Sequence, residues 1–120
     1  MMVSKLNWAH SLDWAMLGSW TATAGASVTL ETVSGRDFTK SEVLVFAPFA
    51  HNHFQPSIFC PRYSMASYNQ KVRVSWMWDS AYEYVDVEKV DNTHFKLTAS
   101  ANLPGDFQLL CFGFVYYGNY

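Results

Sequence analysis

Cysteine, charge and glycine are all scarce in this chain, and each scarcity removes a class of protein. Only 2 of 120 residues are cysteine, too few for the disulfide framework of a small secreted scaffold. Cys60 and Cys111 sit in the apolar stretches Ile58-Phe59-Cys60 and Leu109-Leu110-Cys111-Phe112, where a cysteine behaves as a small buried hydrophobe. Two reduced thiols and one bridge both fit, because a bridge depends on geometry that spacing does not supply. Reduced thiols agree with folding in a cytosol. Lysine and arginine number 8 against 10 aspartates and glutamates, a formal net charge of -2. That is not the basic footprint of a nucleic-acid binder, and Lys71 with Arg73 reads as the solvated side of a strand. The 6 glycines build neither a G-x-G-x-x-G nor a Walker loop. Cys-x-x-Cys, His-Glu-x-x-His and Asn-x-Ser/Thr are also missing. No long apolar run occurs. Residues 1–10 lack the apolar region of a signal peptide, and the uncharged stretch 14–30 holds too many Ser, Thr and Gly to span a bilayer. A soluble protein, not membrane-embedded, is expected.

Aromatic residues, by contrast, abound: 9 Phe, 7 Tyr and 5 Trp. Each can bury roughly 150–250 Å², so either the core is unusually aromatic or some rings face a partner. The length suits one domain with one core, expected over residues 13–120 after an N-terminal extension or linker over 1–12.

Short β-rich runs separated by turn residues predict a sandwich or barrel. Strands are expected over 13–23 and 27–32, then, after the turn Ser34-Gly35-Arg36-Asp37, over 42–47, closed by Pro48. Residues 50–60 are harder to assign because Pro56 needs an edge or a bend. The clearest alternation is Lys71-Val72-Arg73-Val74-Ser75-Trp76-Met77-Trp78, with Lys71, Arg73 and Ser75 on one face and Val72, Val74, Trp76 and Trp78 on the other. Asp79-Ser80 turns into a strand over 81–90, and Asp91-Asn92-Thr93 turns into one over 94–100, which makes an antiparallel meander. Asn102-Leu103-Pro104-Gly105-Asp106 is a loop. Weak helical spacing runs over 3–16 through Leu6, His10 and Asp13.

The closing strand, 107–117, is apolar on both sides. Phe107, Leu109, Cys111 and Val115 take one face, and Leu110, Phe112, Phe114 and Tyr116 the other. In an antiparallel protein something must then cover the second face. A second copy of the chain would serve, as would burial of a central strand within one monomer.

Catalytic signals are thin. The carboxylates Asp79, Glu83, Asp86, Glu88 and Asp91 could hide a glycosidase pair, which needs two carboxyls roughly 5–10 Å apart. Asp86 and Glu88 instead read as the solvated face of a hairpin beside Lys89. No enzyme is expected. His51-Asn52-His53 has metal-like spacing, since residues two apart on an extended segment point the same way. Two nitrogens make a poor site, but three copies around a three-fold axis would offer six to an iron ion. Loop or surface histidines are the simpler alternative, and His10 and His94 are taken as structural.

From Trp14 onward the chain resembles the small C-terminal β domains of phage and prophage tail-fibre proteins. The residues that carry this are Trp14-Ala15-Met16-Leu17-Gly18-Ser19-Trp20-Thr21, Glu42-Val43-Leu44-Val45-Phe46 and Cys111-Phe112-Gly113-Phe114-Val115-Tyr116-Tyr117-Gly118. The resemblance implies an all-β, jelly-roll-like antiparallel β-sandwich, assembled as a homotrimer at the tip of a fibre. It also implies other tail proteins as partners, a place in the virion tail after folding in the host cytoplasm, and attachment to a bacterial surface glycan or outer-membrane protein. Some such tips hold iron on the three-fold axis through His-x-His pairs, and His51 and His53 are the positions that fit. Receptor contacts are expected on two loops, through Phe49, Asn52, Phe54 and Gln55 and through Asp79 and Tyr82, although Trp78 and Tyr82 could instead form a cross-strand aromatic pair. Two other functions stay open: a structural virion protein, such as a capsid decoration or baseplate component, and a cellular lectin-like module.

Overall fold

A computed structural model describes residues 12–61 and 71–116; the expected extension, apart from Leu12, lies outside them. Among these residues nine strands run β1 (Leu12–Trp20), β2 (Ser27–Glu31), β3 (Val43–Ala50), β4 (His53–Phe54), β5 (Ile58–Pro61), β6 (Lys71–Trp78), β7 (Ala81–Asp91), β8 (His94–Ala99) and β9 (Gln108–Tyr116). They form two antiparallel sheets, β1-β9-β3-β4 with β5 also on β3, and β2-β8-β7-β6. The fold is the expected β-sandwich. Outer strands pair with outer strands, β1 with β9 and β2 with β8, so the chain is wound as a ribbon. The inner strands close as local hairpins, and β6, β7 and β8 form the meander predicted from their turns. The helical spacing noted over 3–16 does not survive in its described part, since β1 begins at Leu12. Among the described residues no helix is long and apolar enough to cross a membrane.

Pro48 does not end β3. The strand runs through it to Ala50. A strand residue's N–H and C=O point to the same neighbour, and the Pro48 carbonyl accepts the Gln55 N–H at 2.9 Å. The donor that proline lacks thus falls toward residues 55–57, between the end of β4 and the start of β5, and the β9 ladder is untouched.

The two inner faces meet in an aromatic core. Phe95 of β8 lies against Trp20 at 5.6 Å, Phe38 at 4.2 Å and Phe46 at 5.9 Å between ring centroids. Leu44, Val74, Val85, Val87, Leu97 and Leu109 are fully buried around them. Cys60 and Cys111 are free and face this core from opposite sides of β3, beside Leu44 and Phe46 respectively. Two strand spacings, about 10 Å, separate them, beyond the roughly 7 Å between Cα atoms that a disulfide spans. The bridged alternative is therefore excluded, and burial pushes both thiols above the ordinary cysteine range.

The two outer faces differ. That of β6 and β7 is polar, as their alternation predicts: Lys71 pairs with Glu88, Arg73 with Asp86 and Ser75 with Tyr84. That of the five-stranded sheet is apolar. Directly paired residues share a face, so the register sets Trp14, Phe114 and Val43 in one row and Met16, Phe112, Val45 and Phe59 in the next. Ala47 with Leu110, then Phe49 with Phe54, continue it along β3. Trp14 meets Phe112 edge-on at 5.6 Å. Trp14, Val45, Phe59, Phe112 and Phe114 line an open cleft of about 330 Å³. β9 is thus two-sided as expected, with Leu109, Cys111 and Val115 buried inward and Leu110, Phe112 and Phe114 half-buried outward.

Candidate functional site

Two hairpins end side by side at one edge of the sandwich. His51-Asn52 links β3 to β4, and Asp79-Ser80 links β6 to β7. All four residues have positive φ, at 56°, 61°, 48° and 68°, the primed two-residue turn that suits the twist of a hairpin. Asn-Gly is the usual choice there. An L-residue in this region costs roughly 1–2 kcal/mol, so the surroundings must hold the turns in place.

For the first turn that restraint is visible. Asp106, in the loop before β9, accepts the backbone N–H of Asn52 at 2.9 Å and of His51 at 3.1 Å. These donors favour the ionised carboxylate and hold the Asp106 carboxyl below the usual aspartate range. The His51 ring lies parallel to Trp78, at 4.4 Å and 3°, and its Nε2 is 2.9 Å from both carboxylate oxygens of Glu83. Glu83 is 3% exposed and also accepts the indole N–H of Trp76 at 2.7 Å. Trp76 in turn stacks on Phe107 at 5.8 Å. An ionised carboxylate only accepts, so His51 is the donor in its bond to an ionised Glu83. One carboxylate thus ties the turn to two core aromatics.

The expected metal pair has a different local geometry from the one its spacing suggests: His51 lies in a turn and not on an extended segment. Both rings reach the same indole, His53 at 5.6 Å from Trp78. The Nε2 of His51 is occupied by the Glu83 carboxylate. Among the described residues no group of three or more His, Cys, Asp or Glu is placed to hold a metal ion.

The six expected receptor residues separate. Asn52 and Asp79 stand exposed at the two hairpin tips. Phe49 and Phe54 pack on each other at 5.3 Å on the outer face of the five-stranded sheet. Gln55 turns back to donate from Nε2 to the Ala50 carbonyl at 2.9 Å and holds its own hairpin. Tyr82 is on the far side of the molecule, on the outer face of the four-stranded sheet. The Trp78–Tyr82 pair does not form, because Trp78 pairs with Ala81 and Met77 with Tyr82, which sends the two rings to opposite faces. Tyr82 instead lies 5.6 Å from Tyr84, and hydrogen bonds from Ser75 and then Arg73 lower its hydroxyl pKa.

Asp86 is a further correction. It is buried, not solvated. Arg73 grips it with two hydrogen bonds of 2.8 and 3.1 Å, and the same guanidinium lies 3.8 Å above the Tyr84 ring. Glu83, Trp76 and Asp106 were not singled out from sequence as a unit. For Glu83 the signal was present: it alternates with Val85 and Val87, so strand periodicity turns it inward with them. For Asp106 there was none beyond its loop.

Chemically, this end offers a ligand the hydrogen-bonding tips Asn52, Asp79 and Ser80 on a base fixed by Asp106 and Glu83. Set against protein-family models, curated proteins and solved structures, the chain matches none.

Proposed function

We propose that the chain is a non-enzymatic attachment module: the receptor-binding tip of a phage tail fibre, working as a homotrimer. In the virion tail it would sit against other tail proteins and meet a bacterial surface glycan or outer-membrane protein. The observation that carries this is the mismatch between a complete core and an open apolar sheet. The inner faces already bury Phe46, Phe95 and Leu109, yet β9 and its neighbours turn a second, uncharged face outward. Exposed apolar patches of this kind mark interaction surfaces. The two hairpin tips, the first held by Asp106 and Glu83, supply what the other contact needs, polar groups on a strand scaffold. The resemblance to tail-fibre tips joins these features into one function, and buried reduced cysteines suit folding in the host cytoplasm.

The test is attachment to bacteria by the labelled chain, with its mass read in parallel by light scattering. Asn52→Gly and Asp79→Gly suit the positive φ of their positions while removing the tip side chains. They should lose cell binding and keep the wild-type mass. A wild-type monomer with no affinity for cells or glycans would sink the proposal. Binding to assembled particles but not to cells would move the chain to a capsid or baseplate role. Glycan binding by a monomer would make it a lectin-like module.

A further inference from the structure

We infer that copies of this chain pack on one another through the outer face of the five-stranded sheet, from Trp14 and Phe59 at one end to Phe49 and Phe54 at the other. The inference rests on the proposal of a self-assembling tip and adds where the copies meet. It also takes Phe49 and Phe54 away from the receptor and gives them to the assembly.

The size of the face is the first argument. It crosses four strands about 4.8 Å apart and runs from residue 43 to residue 49 at about 3.4 Å each, a footprint near 20 by 20 Å. In projection alone that is about half of the roughly 800 Å² that each partner commits to a standard interface. Trp14 is 59% and Phe59 71% exposed; at roughly 150–250 Å² per aromatic side chain, these two leave on the order of 250 Å² of ring in water. The half-buried Phe112 and Phe114 stand between them, and the 330 Å³ cleft these rings frame is a socket for a ring from another molecule.

Charge is the second argument. Among the described residues no Asp, Glu, Lys or Arg occupies a position on this face, and its polar members are Ser19 and Gln108. The opposite sheet carries Lys71, Arg73, Glu88 and Lys96 on its outer face, with Asp86 buried against Arg73. A foreign partner would find no charge within the face to select it by, although Arg36 stands at its β1 edge, on the Met16 carbonyl. A second copy brings the same uncharged relief, at matching concentration wherever the chain is made, and three such faces turned toward one axis meet side against side, the head-to-tail contact that closes a ring.

The experiment uses the full chain at tens of micromolar. Phe59→Lys and, separately, Trp14→Lys place a cation on the face without touching the core, and Met77→Lys does the same on the opposite sheet. Light scattering should give three chain masses for wild type and for Met77→Lys, and one mass of 13.7 kDa for the two face variants. Their far-UV circular dichroism should stay that of wild type, which separates dissociation from misfolding. Assembly that persists in both face variants overturns the inferred face and leaves the oligomeric tip standing. A monomeric wild type overturns both, whether residues of its own chain or a lipid vesicle then prove to cover the rings.

Discussion

Removing the carboxylate of Glu83 is the sharpest test of how the His51-Asn52 hairpin end is held. In Glu83→Leu the side chain keeps much of its volume and loses both acceptor oxygens. The Trp76 indole N–H, 2.7 Å from Oε1, is then a buried donor without a partner, which costs about 1–3 kcal/mol. The His51 Nε2–H also loses its acceptor, but the ring is 24% exposed and water can replace the bond. Relief from holding a buried charge works the other way. Truncating one side of such a pair nonetheless ends in net loss, commonly about 3–5 kcal/mol, and the exposed edge of His51 places this case near the low end, about 3 kcal/mol. With a urea dependence of about 1–3 kcal/mol per molar, the unfolding midpoint should fall by roughly 1–3 M. A cycle with Trp76→Phe isolates the cause. Phenylalanine has no N–H to strand, so the second substitution should cost less in the Glu83→Leu background than in wild type. The coupling should be about 1–2 kcal/mol, inside the usual range for contacting residues. Urea titrations followed by circular dichroism measure all four chains. A single-variant loss below about 1 kcal/mol, or a coupling below about 0.5 kcal/mol, would refute the claim that this carboxylate ties the turn to the core.

Four more outcomes follow from the same structure. Ser80→Gly should raise stability by about 1 kcal/mol, because glycine takes positive φ without the steric cost of a Cβ; a lowered urea midpoint would show that the Asp79-Ser80 turn is not strained. Gly18→Ala should cost about 1–3 kcal/mol, since a Cβ there falls within the Trp20 indole, which is itself packed on Phe95; an unchanged melting curve would contradict that packing. The folded Asp106 carboxyl is depressed by the Asn52 and His51 N–H groups, so its contribution is complete above the ordinary aspartate pKa of about 3.9 and is lost as pH falls through the folded value. Stability measured from pH 6 down to pH 2 should accordingly decline less steeply in Asp106→Asn than in wild type, and parallel curves would remove the carboxylate from that role. Finally, burial that raises both thiols should leave Cys60 and Cys111 unalkylated by iodoacetamide at pH 8 in the native protein and fully alkylated in denaturant, as read by mass; rapid labelling of native Cys111 would mean that the core is open.

The sandwich was legible because strand periodicity is a local property. The alternation from Lys71 to Trp78 and the turns after Trp78 and Asp91 state both the strands and their faces, and β6, β7 and β8 follow without long-range information. The same rule exposes β9, whose two apolar sides are written in the residues from Leu109 to Val115. Where the expectation failed, the deciding contact was distant in sequence. His51 was placed on an extended segment because nothing near it announces a primed turn; Asp106, 55 residues away, is what caps that turn. Trp78 and Tyr82 were considered as a pair because they flank one hairpin, but a two-residue turn pairs Trp78 with Ala81 and so separates them by face. Pro48 read as a stop because the interruption between β4 and β5 that tolerates it depends on a different strand. The receptor residues divided for a related reason. A loop can be located from turn chemistry, whereas the sheet face on which its flanking aromatics lie depends on register, and Phe49 and Phe54 are the second pair below the hairpin tip at Asn52. That place in the register sets them on the surface that continues Trp14 and Phe59. An aromatic residue beside a polar loop is thus ambiguous until its parity along the strand is known, and parity assigns these two rings to the apolar outer face of the five-stranded sheet.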